Sequence, residues 1–151
     1  EQVYRQPRNQ FVAGFIGSPP MNFLNCTFDP QGQSLAGAEF SYPISGRWLE
    51  ILKNREPGGL VLGVRPENIT VGLEPSPGAV QAEAYVMEQL GREILLNAKL
   101  GEETVRAFAA ADIQLEEGQR VWLGFKEELI HIFDAESELS LSWTGEIEGQ
   151  T

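Results

Sequence analysis

The 151-residue chain is 42% hydrophobic and sets 11 basic residues against 22 acidic ones, a formal net charge of −11. That length suits one ordinary domain or two very small modules with a shared core, and an acidic surface repels phosphate backbones, which argues against nucleic acid as a partner. A single cysteine excludes an internal disulfide, and no run of about 18 apolar residues is present to span a bilayer.

Along the chain, "EQVYRQ" stops at Pro7, and "RNQFVAGFIG" spaces Phe11, Val12, Phe15 and Ile16 at helical intervals before Gly17, so two short helices are expected. Gly17, Ser18, Pro19 and Pro20 break that pattern and mark a helix-to-sheet junction. "MNFLNCTFD", the turn "PQGQ" and "EFSYPIS" then read as strand, turn and strand. "SGRWLEILKNREPGG" predicts a short helix with Ser45 as N-cap, ended by Gly58 and Gly59. In "LVLGVRPENITVGL" a buried strand over Leu60 to Val64 meets a polar corner at Arg65, Pro66 and Glu67, followed by a second strand from Asn68 to Leu73.

"EPSPG" is the best linker candidate. Beyond it "AVQAEAYVMEQL" places Val80, Ala82, Ala84 and Val86 on one face, and "REILLNAKL", "ETVRAFAA", "QRVWLGF", "LIHIFD" and "ELSLSW" follow at short intervals. Such spacing argues for an antiparallel barrel or sandwich, so a mainly β chain with short N-terminal helices is expected, and its size favours a five-stranded barrel of the OB type. No tandem repeat of 20 to 50 residues stands out, which leaves two half-similar modules open.

Catalytic chemistry finds little to work with. None of Lys53, Lys99 and Lys126 follows a glycine, so no phosphate cradle is present, and one histidine with one cysteine cannot build a His-based triad or a Cys-rich zinc site. His131 reads as a face-alternating strand residue and Cys26 as a buried thiol of a reducing compartment. The pairs Glu102 and Glu103, Glu116 and Glu117, and Glu127 and Glu128 read as solvated turns. Trp48, Trp122, Trp143, Phe108, Phe125 and Phe133 read as core or interface aromatics, since nothing spaces them as a base-stacking platform. The informative constellation is Gly63, Arg65, Pro66 and Glu67. Pro66 fixes the backbone, and Arg65 either pairs with a carboxylate such as Glu67 or serves as a fork donor toward a partner subunit or a small anion.

"EQVYRQPRNQFVAGFIGSPPMNFL" strongly resembles the segment that follows the nucleotide-binding domain in ATP-binding subunits of bacterial carbohydrate ABC importers, the maltose and glycerol-phosphate type. "LGVRPENI" resembles that family's Gly-hydrophobic-Arg-Pro-Glu motif, and "VMEQLGREILLNAKLG", "LEEGQRVWLGF" and "IHIFDAES" resemble the rest of its C-terminal regulatory domain. The resemblance runs from Glu1 to about Leu141. It implies an OB-like barrel unit of two woven transport-associated OB-type modules, roughly 21–74 and 78–147, after a helical remnant and hinge at 1–20 and before a tail at 148–151.

The resemblance further implies a non-enzymatic regulatory domain behind an ATPase domain, cytoplasmic and peripheral to the inner membrane through the transporter complex. Cofactors are expected to be none here, with ATP and Mg in the parent protein. Expected partners are a second copy in a homodimer, the ATPase domain, the importer's membrane subunits and a regulatory protein. The missing initiator Met and the opening inside a helix fit a fragment, in which Tyr4, Phe11, Phe15 and Ile16 would pack on the ATPase domain and 17–20 would act as an inter-domain hinge. The alternative is a small-ligand or oxyanion module, with Arg65 and backbone donors near Gly17 and Ser18 as its site.

Overall fold

Strands begin where the periodicity of apolar residues drops from helical to alternating. In the computed structural model, which describes residues 7–10, 14 and 19–142, β1 (Asn22–Asp29) turns Asn22, Leu24 and Cys26 inward and leaves Asn25 and Thr27 outside. The chain continues through β2 (Ser34–Ala36), β3 (Ser41–Pro43), α1 (Gly46–Lys53), β4 (Leu60–Val64) and a 3-10 turn over Pro66–Asn68. It then runs through β5 (Ile69–Gly72), β6 (Val80–Leu90), β7 (Glu93–Leu100), β8 (Glu103–Ala110), β9 (Arg120–Phe125), a second 3-10 turn over Glu127–Leu129, and β10 (His131–Asp134).

Four local expectations change. The segment "EFSYPIS" contributes only β3, and a short strand lies upstream at β2, because Gly37 donates to the Phe40 carbonyl at 2.9 Å and the Phe40 ring folds over the glycine. Val86 leaves the inner face, because a β-bulge between Ala84 and Val86 shifts the register. Asn68 belongs to the 3-10 turn rather than to β5. The described part of "ELSLSW", residues 138–142, forms only isolated bridges, Leu139 to Asn9 and Ser140 to Phe133.

The ten strands form two antiparallel five-stranded sheets, in the orders β10-β4-β1-β2-β3 and β5-β9-β6-β7-β8, and β8 approaches β5 to close the second on itself. Each sheet takes one strand from across the linker at 74–78: β5 completes the second sheet and β10 completes the first. The two crossovers share a sequence pattern. Leu62-Gly63-Val64-Arg65-Pro66-Glu67-Asn68-Ile69 at one matches Leu123-Gly124-Phe125-Lys126-Glu127-Glu128-Leu129-Ile130 at the other. In both, an extended cationic residue (Arg65 φ −79, ψ 144; Lys126 φ −89, ψ 127) starts the 3-10 turn, which closes by Asn68 N–H donating to Arg65 O at 2.9 Å or Leu129 N–H to Lys126 O at 2.8 Å.

A single apolar core joins the sheets, with Leu24, Leu35, Leu62 and Val64 from one and Leu96, Val105, Val121 and Leu123 from the other. Polar staples reinforce it. The buried Asn22 amide donates to Val64 O at 3.1 Å and to Arg106 O at 2.9 Å and accepts from Arg106 N–H at 2.8 Å, doing for β8 what a neighbouring strand would do. Tyr42, its phenol pushed up to about 12 by burial, donates to Phe125 O at 3.0 Å.

Candidate functional site

β4 is a run of five buried residues, which fits a strand covered on both faces. Its outer face carries a second small core of Met21, Val61 and Phe133, with Phe23 packed against it. Gly63 lies in that layer, where a Cβ would come within 2.6 Å of Met21 Sδ and 2.9 Å of Phe133 Cε2. The motif glycine is thus required by close packing rather than by an unusual φ. Gly14 approaches the same layer, its Cβ position being 3.3 Å from the Phe23 ring.

β4 delivers the chain to Arg65, which is 2% exposed. Its extended backbone is the conformation that a following proline favours, and Pro66 opens the 3-10 turn with no N–H to leave unsatisfied. Burial pushes the Arg65 guanidinium below its ordinary value. Pro66 is buried and Glu67 exposed, so the sequence-level pairing of Arg65 with Glu67 is not formed among the described residues. Of the four motif residues Gly63, Arg65, Pro66 and Glu67, only Glu67 reaches solvent, and a partner docking on this corner would meet Glu67.

His131 faces Gly63 across the β10–β4 ladder and stacks on Phe133 at 6.4 Å between centroids. Burial first, and the Arg65 charge second, push its imidazole down to about 4, so it is neutral near pH 7. A neutral, stacked imidazole that no carboxylate among the described residues orients is a packing group, as the strand pattern predicts. Cys26 is equally inert: burial pushes its thiol up to about 12.

The remaining sequence-level candidates divide. Pro19 and Pro20 form the turn that leads into β1, whereas Tyr4, Phe11, Val12, Phe15, Ile16, Gly17, Ser18 and Trp143 lie outside the described residues. Ahead of the turn, Arg8–Gln10 is tied to the end of the fold, with Gln10 N–H donating to Glu138 O and Ser140 N–H to Arg8 O, both at 2.9 Å. Glu127, expected in a solvated rim, accepts from Ser45 N–H at 2.9 Å and from Ser45 Oγ–H at 3.2 Å, which fastens the start of α1 to the second crossover. Ser45 holds the N-cap position of α1 without bonding the helix through its side chain. Glu103 bridges the sheets by accepting from Asn25 N–H at 3.2 Å. Sequence reasoning missed Asn22, Glu103 and Glu127 as structural ties.

Among the described residues no three His, Cys, Asp or Glu side chains gather as a metal site, and no helix is long and apolar enough to cross a membrane.

Comparison with known proteins accounts for both halves. Residues 17–69 match the MalK OB fold domain and residues 62–133 the TOBE domain, the two overlapping on the Arg65 crossover. The chain is 37% identical to the multiple sugar-binding transport ATP-binding protein MsmK of Streptococcus mutans, covering 93% of this chain and 39% of that protein. It is 37% identical to the xylose/arabinose import ATP-binding protein XacK of Haloferax volcanii, covering 89% and 35%. The trehalose/maltose import ATP-binding protein MalK of Thermococcus litoralis is 33% identical, with 89% and 38% covered. The chain therefore spans well under half the length of these relatives. In fold it is similar to the cytoplasmic molybdate-binding protein ModG, with a TM-score of 0.57 over 74% of this chain and 94% of that one at 9% identity.

Proposed function

Because the chain belongs to the family of MalK-type OB and TOBE domains found in sugar ABC importer ATP-binding proteins, we propose that it is a regulatory and pairing domain without chemistry of its own. On this reading the whole subunit hydrolyses ATP, with Mg, to drive carbohydrate uptake at the cytoplasmic face of the membrane. This domain holds two copies together while the ATPase halves open and close. Its partners are a second copy, the subunit's ATPase domain, the importer's membrane subunits through that domain, and a regulatory protein received on its surface.

The observation that carries the reading is the apolar surface past the bulge in β6. Up to Ala84 the strand alternates cleanly, but beyond it Tyr85, Val86 and Leu90 are 44%, 43% and 49% exposed. Exposed apolar side chains on a rigid strand suit contact between proteins better than catalysis. The buried Arg65 weighs against the oxyanion alternative, which needs a cation that an anion can reach.

Sedimentation over a wide concentration range tests the pairing. The expected result is a reversible dimer, weakened at least about tenfold by Leu90→Glu, a loss of about 1.4 kcal/mol of association energy. A monomer at every concentration would overturn pairing through this domain.

A further inference from the structure

A cleft of about 620 Å³ opens on the outer face of the second sheet, walled by Gln81 and Glu83 of β6, Lys99 of β7, Arg120 of β9, and Glu39 from the loop before β3. Its volume falls within the range of small-molecule sites. Two turns with positive φ bound it: Gly101 (φ +65), where Glu39 packs so closely that no Cβ would fit, and Gly118 (φ +88).

The wall residues are positioned to neutralise one another and do not. Glu83 is directly opposite Lys99 on β7 and Arg120 on β9. Yet among the described residues none of the five side chains makes a hydrogen bond or ion pair to the protein. Lys99 instead places its Nζ 4.3 Å from the centroid of the Tyr85 ring, the next residue on the same face of β6. The cleft therefore gathers two carboxylates, two cations and an amide whose hydrogen-bonding capacity is uncommitted, beside an exposed aromatic ring.

Net charge decides the class of ligand. An anion entering the cleft meets Glu39 and Glu83, and a cation meets Lys99 and Arg120. A neutral polyhydroxylated molecule can donate to the carboxylates and accept from the cations, since each hydroxyl does both. Charged groups make the stronger of such bonds. We propose that this cleft binds a neutral sugar, held by Glu83, Arg120 and Lys99. The inference rests on the cleft alone and does not require the pairing proposed above.

Amide-resolved NMR titration of the chain with D-glucose, D-xylose and maltose, and separately with sodium sulfate, tests it. At least one sugar should produce saturable shifts at 81–85, 99–101 and 118–120, with a dissociation constant of about 1–10 mM. Glu83→Gln and Arg120→Met, both at exposed positions, should each weaken that binding at least about tenfold while leaving shifts elsewhere unchanged. No saturable shift with any of the three sugars overturns the proposal, as do saturable shifts confined to other residues, or sulfate saturating these amides in place of the sugars. The sedimentation result is separate, so loss of sugar binding and loss of pairing are told apart.

Discussion

The two crossovers have the same local design and opposite surroundings. Arg65 and Lys126 both follow a Leu-Gly pair, both have extended backbones and both start a 3-10 turn. Arg65 is nevertheless buried, next to Gly63 wedged against Met21 and Phe133, in a turn that lies against β8. Lys126 and Leu129 are both exposed, and among the described residues the turn is tied to the start of α1 through Glu127 and Ser45. Short-range sequence thus sets the conformation of a crossover, and the layers packed over it set the role of its cation.

Swapping the cations for alanine sharpens that contrast most. Arg65→Ala removes a fully buried side chain and should cost about 2–5 kcal/mol in urea unfolding, whereas Lys126→Ala should stay within about 0.5 kcal/mol. Equal effects would mean that burial does not distinguish the crossovers.

Next in size is a pH effect confined to the first crossover. The folded-state value of His131, about 4, lies below the ordinary 6.5. Between those values the unfolded chain binds a proton that the folded chain refuses, so stability should fall as pH drops from 6.5 toward 4 and be level above 6.5. The full loss is on the order of 3–4 kcal/mol at 1.36 kcal/mol per pH unit. Thr70 follows the first crossover as His131 follows the second, so His131→Thr, which borrows the matching residue, should flatten the slope in unfolding measured across that range. A slope that survives the substitution would assign it to carboxylates instead.

The smallest contrast compares the glycines. Gly63→Ala drives a methyl into Met21 and Phe133 and should cost about 1–3 kcal/mol. At Gly124 the added methyl meets Thr70 Oγ1, and because Thr70 is exposed its side chain can rotate away, so the cost should stay below about 1 kcal/mol by thermal melting.

Most strands were readable because alternation and turn residues agree, as in β1 and the first half of β6, where Val80, Ala82 and Ala84 all face inward. The bulge after Ala84 was not readable, because period-2 counting carries no signal for one extra residue. Arg65 read as polar because its type is usually exposed; its burial depends on β8 and on the Met21 layer, distant in sequence. The ties through Asn22, Glu103 and Glu127 join residues about 80 positions apart, beyond the reach of any local pattern. The polar cleft was hidden for a related reason: Glu39, Glu83, Lys99 and Arg120 are scattered singly along the chain, and only strand register assembles them.

Exchanging β5 and β10 also dictates an order of events during synthesis. When β1 to β4 have been made, the fully apolar β4 still has one unpaired edge, and β10 arrives only after about 65 further residues. At a ribosomal rate of about 5–20 residues per second that edge stays open for seconds, long enough to meet the same edge of a neighbouring nascent chain. A β10 that reaches the neighbour's β4 first would leave an intertwined pair, and the same strand exchange that unites the two sheets would then have produced a domain-swapped dimer.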